Sequence, residues 1–169
     1  MDAVASFMDQ WSQERPDLDV TPMATIGRLS RMAALIQQRI DGVFAQHDLQ
    51  SWEFDVLASL RRSGKPYSLT AGELDRTMMI TSGTTTHRIT RLEARGFVER
   101  VRDEDDRRVV HVRLTDDGRR ACDAVHGVHL DNERAILALM GDEDRVKLTD
   151  GLVALAQALG DVPPAAPRR

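Results

Sequence analysis

Apolar residues recur every three or four positions along most of this chain, the spacing that places side chains on one helix face. Val4, Phe7, Met8 and Trp11 form such a stripe over residues 2–14. Ile26, Leu29, Ala33, Ile36, Ile40 and Val43 form a longer one that ends near residue 46, with Thr21 and Pro22 suited to the N-cap and first helical position. Ser51 is placed to cap a third helix, WEFDVLASLRRS, which Gly64 ends and Pro66 keeps from resuming. Thr70 caps a fourth, LTAGELDRTMM, where Leu74 and Met78 share a face. After a turn at Ile80, Thr81 is a good N-cap for a fifth, SGTTTHRITRLEAR, stopped by Gly96. Thr115, followed by Asp116 and Asp117 where the helix dipole favours anions, opens a long sixth helix to about residue 140. Gly141 breaks it. Leu148, Leu152, Leu155 and Leu159 then line one side of a last helix that ends at Gly160.

Between residues 97 and 114 the period shortens to two. FVERVR, a charged tip DEDDRR and VVHVRL read as a two-stranded ribbon, with Val110, Val112 and Leu114 alternating on one face of the return strand. The helix before the ribbon has a thin apolar side, only Ile89 and Leu92. The rest is small hydroxyls and cations: Ser82, Thr84, Thr85, Thr86, His87, Arg88 and Arg91. Such groups donate and accept towards base edges and phosphates, and their small bulk lets a helix lie deep in a major groove. Arg107 and Arg108 at the ribbon tip suit minor-groove and phosphate contact. A helix presented beside a basic-tipped ribbon predicts a winged helix-turn-helix in a mainly α chain, with double-stranded DNA as partner.

The chain has 169 residues, enough for one well-cored domain over residues 1–160. The winged helix falls at about 50–114 and the dimerisation helices at about 2–47 and 115–160. The proline-rich end, 161–169, is expected to be disordered. No apolar run reaches membrane-spanning length and no basic-then-apolar leader pattern opens the chain, so a cytoplasmic protein without membrane contact is expected. Net charge is −4, yet residues 82–113 hold eight arginines against six acids. Local potential decides a binding face, and a dimer doubles it. The stripes of the first and last helices carry more apolar surface than one small domain hides easily. A homodimer interleaving them would set two recognition helices about one duplex turn apart, which implies a palindromic operator.

Other chemistry is sparse. Cys122, the only cysteine, lies on a helical run and reads as a small buried apolar group. His126 and His129 read as exposed helix histidines rather than metal ligands, and Asp103, Glu104, Asp105 and Asp106 as a turn positioning the wing arginines. No nucleophile–base pattern or phosphate loop appears, so neither an enzyme nor a cofactor is expected. Asp55 is the odd residue of the third helix, flanked by Phe54 and Val56. A carboxylate there needs a partner, and Arg88 and Arg100 are the candidates.

The run SGTTTHRITRLEARGFVER, the tip Asp106-Arg107-Arg108 and the sequence from Leu114 to Gly118 resemble the MarR family of bacterial transcription regulators. The resemblance spans about residues 1–160. The segment from Trp11 to Asp19, then Val20 to Met23, Ile26-Gly27, Leu29 to Arg31, Glu53 to Asp55 and Asn132 to Arg134 is similar to the urate-responsive, PecS-like branch of that family, which carries an additional N-terminal helix. By motif, the four residues of that branch's ligand site fall on Trp11, Asp55, Arg88 and Arg100. The resemblance thus implies a dimeric repressor released from DNA by an anionic small molecule, urate or a related purine. A planar anion would stack on Trp11 and take charge-assisted hydrogen bonds from the arginines. Three alternatives stay open: a different phenolic or anionic ligand, a small-molecule-binding protein with no DNA role, and a structural ion pair at Asp55 with Trp11 stapled onto the core.

Overall fold

The computed structural model describes residues 1–78 and 85–163. Ten elements follow in order: α1 (Ala3–Glu14), α2 (Met23–Gln46), α3 (Ser51–Arg62), β1 (Ser68–Thr70), α4 (Ala71–Thr77), α5 (Thr85–Ala94), β2 (Val98–Arg102), β3 (Val110–Leu114), α6 (Asp116–Leu137) and α7 (Asp142–Ala158). The expected cap at Thr81, the turn at Ile80 and residues Ser82 and Thr84 lie outside the described residues, as do the last six residues of the proline-rich end.

The chain divides into two units, Met1–Gly42 and Val43–Arg169. In the first, Asp2 caps α1 by accepting from the Ala5 N–H at 2.9 Å, and its carboxylate also takes the Arg28 guanidinium at 2.8 Å. Val4 is buried against α2 where a side chain on Gly27 would approach Val4 Cγ1 to 3.2 Å, so a residue without Cβ lets the two helices close. Phe7 and Trp11 are left 46% and 49% exposed.

The second unit builds its core from α3, α4, α5, α6 and a three-stranded antiparallel sheet of order β1-β3-β2. Val56, Leu57, Leu60, Leu74 and Leu92 are fully buried in it. Phe44 stacks on Phe54 with centroids 4.8 Å apart. The sheet corrects the expected two-stranded ribbon. Ser68–Thr70 pairs with β3, Leu69 opposite Val112, and Leu69 is buried. The strand is three residues long, too short to show a period, and begins two residues after Pro66.

Caps also differ from expectation. Gln50, rather than Ser51, precedes α3, and its N–H donates to the Glu53 carboxylate at 2.9 Å. Helix α4 stops at Thr77, with Met78 already extended (ψ 138) though still buried. Gly64, Gly96 and Gly160 all take positive φ at the turns where helices were expected to end.

The Leu114–Gly118 run has a clear physical reason. Leu114 is core, and the Thr115 hydroxyl donates to Gly96 O at 2.7 Å while accepting from the Gly118 N–H at 3.0 Å. A Cβ at Gly118 would fall 2.0 Å from the Phe97 carbonyl oxygen, so only glycine lets α6 start against the end of the α5–β2 connection.

Candidate nucleic-acid interface and ligand site

The helix-turn-helix begins with a capping box. The Thr70 hydroxyl accepts from the Glu73 N–H at 3.3 Å, and the Glu73 carboxylate accepts from the Thr70 N–H at 2.8 Å. This fixes the start of α4 and anchors Leu74 in the core.

On α5 one face is buried: Thr85, Arg88, Ile89 and Leu92. Their spacing of three, one and three keeps them on one side. Thr86, His87, Thr90 and Arg91 are exposed on another. Three residues expected to read DNA therefore keep that orientation, and one does not. Thr85 is 6% exposed, its hydroxyl donating to the Asp75 carboxylate of α4, so it holds the two helices together. Thr90, which the sequence reading left out, joins the outward face. Its hydroxyl donates to Thr86 O at 3.0 Å and accepts from the Arg100 guanidinium at 2.9 Å.

The wing tip is ordered by its acids. Asp103 Oδ1 accepts from the N–H groups of Asp105 and Asp106, each at 2.9 Å, and Oδ2 lies 2.9 Å from His111 Nε2. The Asp106 N–H, His111 and the Asp105 N–H hold the Asp103 carboxyl below its usual range. Asp106 takes both the N–H and the guanidinium of Arg108 at 3.0 Å, and that charge holds its carboxyl low as well. Arg107 and Arg108 are exposed. Among the described residues no acidic or His/Cys cluster has the arrangement of a metal site.

Each residue of the expected ligand set has a definite environment. Arg88 is 8% exposed on the inner face of α5, its guanidinium carbon 5.7 Å from the centroid of the Trp52 ring and a guanidinium nitrogen 4.0 Å from Met78 Sδ. Arg100, on β2, is paired with Glu93 and bonded to Thr90, so its cation is turned to α5. Asp55 is half-buried on α3. Trp11 lies on α1 of the first unit.

The deeply buried acid of α3 is Glu53 instead, 2% exposed. It takes the Gln50 N–H at 2.9 Å and Arg95 Nη1 at 2.8 Å, while Arg95 also donates to Asp48 O at 2.7 Å and Asp48 Oδ2 at 2.8 Å. The spacing Gln50-x-x-Glu53 just before an apolar run was the available signal for this acid. His129 differs from expectation too. Its side chain is 14% exposed and packs on Phe44 and Phe54, with Nε2 3.2 Å from Glu133. Cys122 is buried as expected, and burial pushes its thiol up to about 11.

Comparison with known proteins follows the same lines. Residues 49–110 match the MarR family. The chain is 43% identical to the HTH-type transcriptional regulator PecS of Dickeya dadantii, over 86% of this chain and 87% of that protein. Among solved structures, AbsC, a MarR family transcriptional regulator of Streptomyces coelicolor, shares the fold at a TM-score of 0.72 and 22% identity, covering 86% of this chain and 98% of AbsC. BpsR of Bordetella bronchiseptica, whose DNA binding is regulated by 6-hydroxynicotinic acid, aligns at a TM-score of 0.64 and 26% identity over 83% of this chain and 96% of its own.

Proposed function

This chain belongs to the MarR family and is a DNA-binding transcription regulator rather than an enzyme; on that premise we propose that it is a dimeric, cytoplasmic repressor released from a palindromic operator by urate or a related purine anion. The outward face of α5, with Thr86, His87, Thr90 and Arg91, would enter the major groove, Ser82 and Thr84 extending it. Arg107 and Arg108 would take phosphates or the minor groove. The exposed Leu148, Leu152 and Val153 of α7, with Phe7 and Trp11 of α1, supply apolar surface for a dimer interface.

One observation carries the ligand reading. The DNA-reading helix has a cation on its inner face: Arg88 is 8% exposed, beside the Trp52 ring. An anion can reach that guanidinium only by engaging the interior side of α5, so ligand and DNA would compete for the position of one helix. Arg100, bonded to Glu93 and Thr90 of the same helix, would be the second cation. Asp55, on α3, would face the anion and be repelled. A ligand that prefers the displaced helix has the differential affinity every inducer needs.

A hydroxylated aromatic acid is the second reading, favoured by the similarity to BpsR. Retardation of DNA from upstream of the chain's own gene, with and without urate, tests both. Binding that urate abolishes supports the proposal. Binding that persists at millimolar urate rejects urate and leaves the regulator, and 6-hydroxynicotinic acid is then the next probe.

A further inference from the structure

Helix α5 and the residue after it carry arginines at 88, 91 and 95. Steps of three and four put them along one side of the helix. That side meets the first turn of α3. The Arg91 guanidinium carbon lies 4.9 Å from the centroid of the Trp52 ring and that of Arg88 5.7 Å, while Arg95 reaches the neighbouring Glu53 at 2.8 Å. The indole N–H of Trp52 is bonded to the Gln50 side chain, which fixes the ring. One aromatic ring therefore serves two guanidiniums one helical turn apart. Two cations so placed repel each other, and the negative face of an indole is the neutral group best able to hold both.

The two arginines have different fates. Arg88 is buried and Arg91 is exposed beside the face that carries Thr86, His87 and Thr90. A ring that grips both fixes the rotation of α5 about its axis through the buried one. Through the exposed one it holds a guanidinium in one orientation before a phosphate arrives, which spares the cost of ordering a long side chain on binding. We propose that Trp52 is a positioning residue for DNA binding, acting through Arg91 and Arg88 by cation–π contact without lying at the DNA surface.

The test uses the full-length protein and a duplex selected from a random-sequence pool by the wild type. Trp52→Leu keeps apolar bulk and removes the ring. It is expected to raise Kd about two- to thirtyfold, the range from an exposed to a desolvated cation–π contact. It should also lower the slope of log Kd against log salt by about one counterion although no charge has been removed, because Arg91 no longer meets its phosphate. Trp52→Phe should stay within about threefold of wild type, since a smaller aromatic face still holds a cation. Trp52→Leu and Arg91→Met combined should weaken binding no more than Arg91→Met alone by more than about threefold, the signature of coupled residues.

A shape-preserving variant covers a Leu protein that fails to fold. Progressively fluorinated tryptophan, incorporated into the wild type and into Trp52→Phe as the control for position 11, removes the ring's negative face while keeping its outline. Affinity for the duplex should fall stepwise with fluorine number. A full salt slope in Trp52→Leu, independent multiplying effects of the two substitutions, or affinity indifferent to fluorination would each overturn the positioning role. None of these results bears on whether urate releases the protein, so the two proposals fail separately.

Discussion

Arg95, just past the end of α5, donates to the buried Glu53 carboxylate at 2.8 Å and ties the recognition helix to the first turn of α3. Glu53 is 2% exposed, so removing its cation leaves a carboxylate in the interior with, among the described residues, only the Gln50 N–H. Arg95→Ala is expected to cost about 3 kcal/mol, as when one partner of a buried pair is lost. Glu53→Gln, which keeps an acceptor for Arg95, should cost about 1 kcal/mol. Urea denaturation at one fixed protomer concentration measures both, and equal losses would contradict the assignment of the buried charge as the source.

Gly118 gives a sharper steric prediction. A methyl there would lie 2.0 Å from the Phe97 carbonyl oxygen, backbone that cannot rotate away. Gly118→Ala should destabilise by about 3 kcal/mol, the upper end of ordinary overpacking. The melting temperature of the variant decides it; an unchanged value would mean that α6 does not start where it is described.

The helices were legible because their apolar periods are long and regular, and the wing because the period shortens between Gly96 and Leu114. β1 was not, since three residues carry no measurable alternation and its partner β3 lies more than forty residues away in sequence. The acids of α3 show why the site was read only in part. Asp55 stands out in the linear sequence because Phe54 and Val56 flank it. On a helix the neighbours that matter are three and four away, and Glu53 shares the buried face of Val56, Leu57 and Leu60 while Asp55 lies off it. The same geometry turned Thr85 inward with Ile89 and Leu92 and left Thr90 outward. Trp52 was passed over because its partners, Arg88 and Arg91, are contributed by another helix, and nothing in local spacing announces that meeting.

Cys122 is expected to be chemically silent in the native protein. Its side chain is buried and burial pushes the thiol up to about 11, so thiolate is scarce at pH 8. Iodoacetamide should label it slowly until urea unfolds the chain. The sign of the pH effect follows. The folded state keeps the proton to about 11 while an unfolded thiol loses it at the ordinary 9.0. The contribution is therefore complete below the unfolded value and is lost as pH rises through the folded one. Rapid labelling of folded protein at pH 8 would contradict this.

The wing should contribute charge without sequence preference. Arg108 projects from the tip with its side chain 90% exposed, held by both oxygens of Asp106. A guanidinium so placed meets phosphate rather than a base pattern, so Arg108→Ala should weaken selected and random duplexes by the same factor and lower the salt slope by about one. His87 on the outward face of α5 should behave oppositely, with His87→Ala changing which duplexes are preferred at nearly constant slope. Unchanged affinity of Arg108→Ala at physiological salt would remove the wing from the interface.

Arg100 is expected to separate ligand response from DNA binding. Its guanidinium is paired with Glu93 and bonded to Thr90, both on the recognition helix, and its side chain is about one-third exposed at 35%. On the proposed reading, a purine anion arriving at this cation would compete with Glu93, whose carboxylate lies on α5, the helix proposed to shift. Because the side chain is turned to α5 rather than outward, its removal should leave the DNA face in place. Arg100→Ala is therefore expected to bind a selected duplex within about threefold of wild type, as an exposed pair worth under a kcal/mol allows. The same variant should need at least about tenfold more urate for half-release, the loss of one charge-assisted hydrogen bond. Arg100→Lys, which keeps the charge but not the fork, should fall between the two. Titrating urate against a labelled duplex gives both quantities for each protein. Equal release midpoints in wild type and Arg100→Ala would take Arg100 out of the ligand site, whereas a parallel loss of duplex affinity would make it part of the DNA-binding scaffold instead.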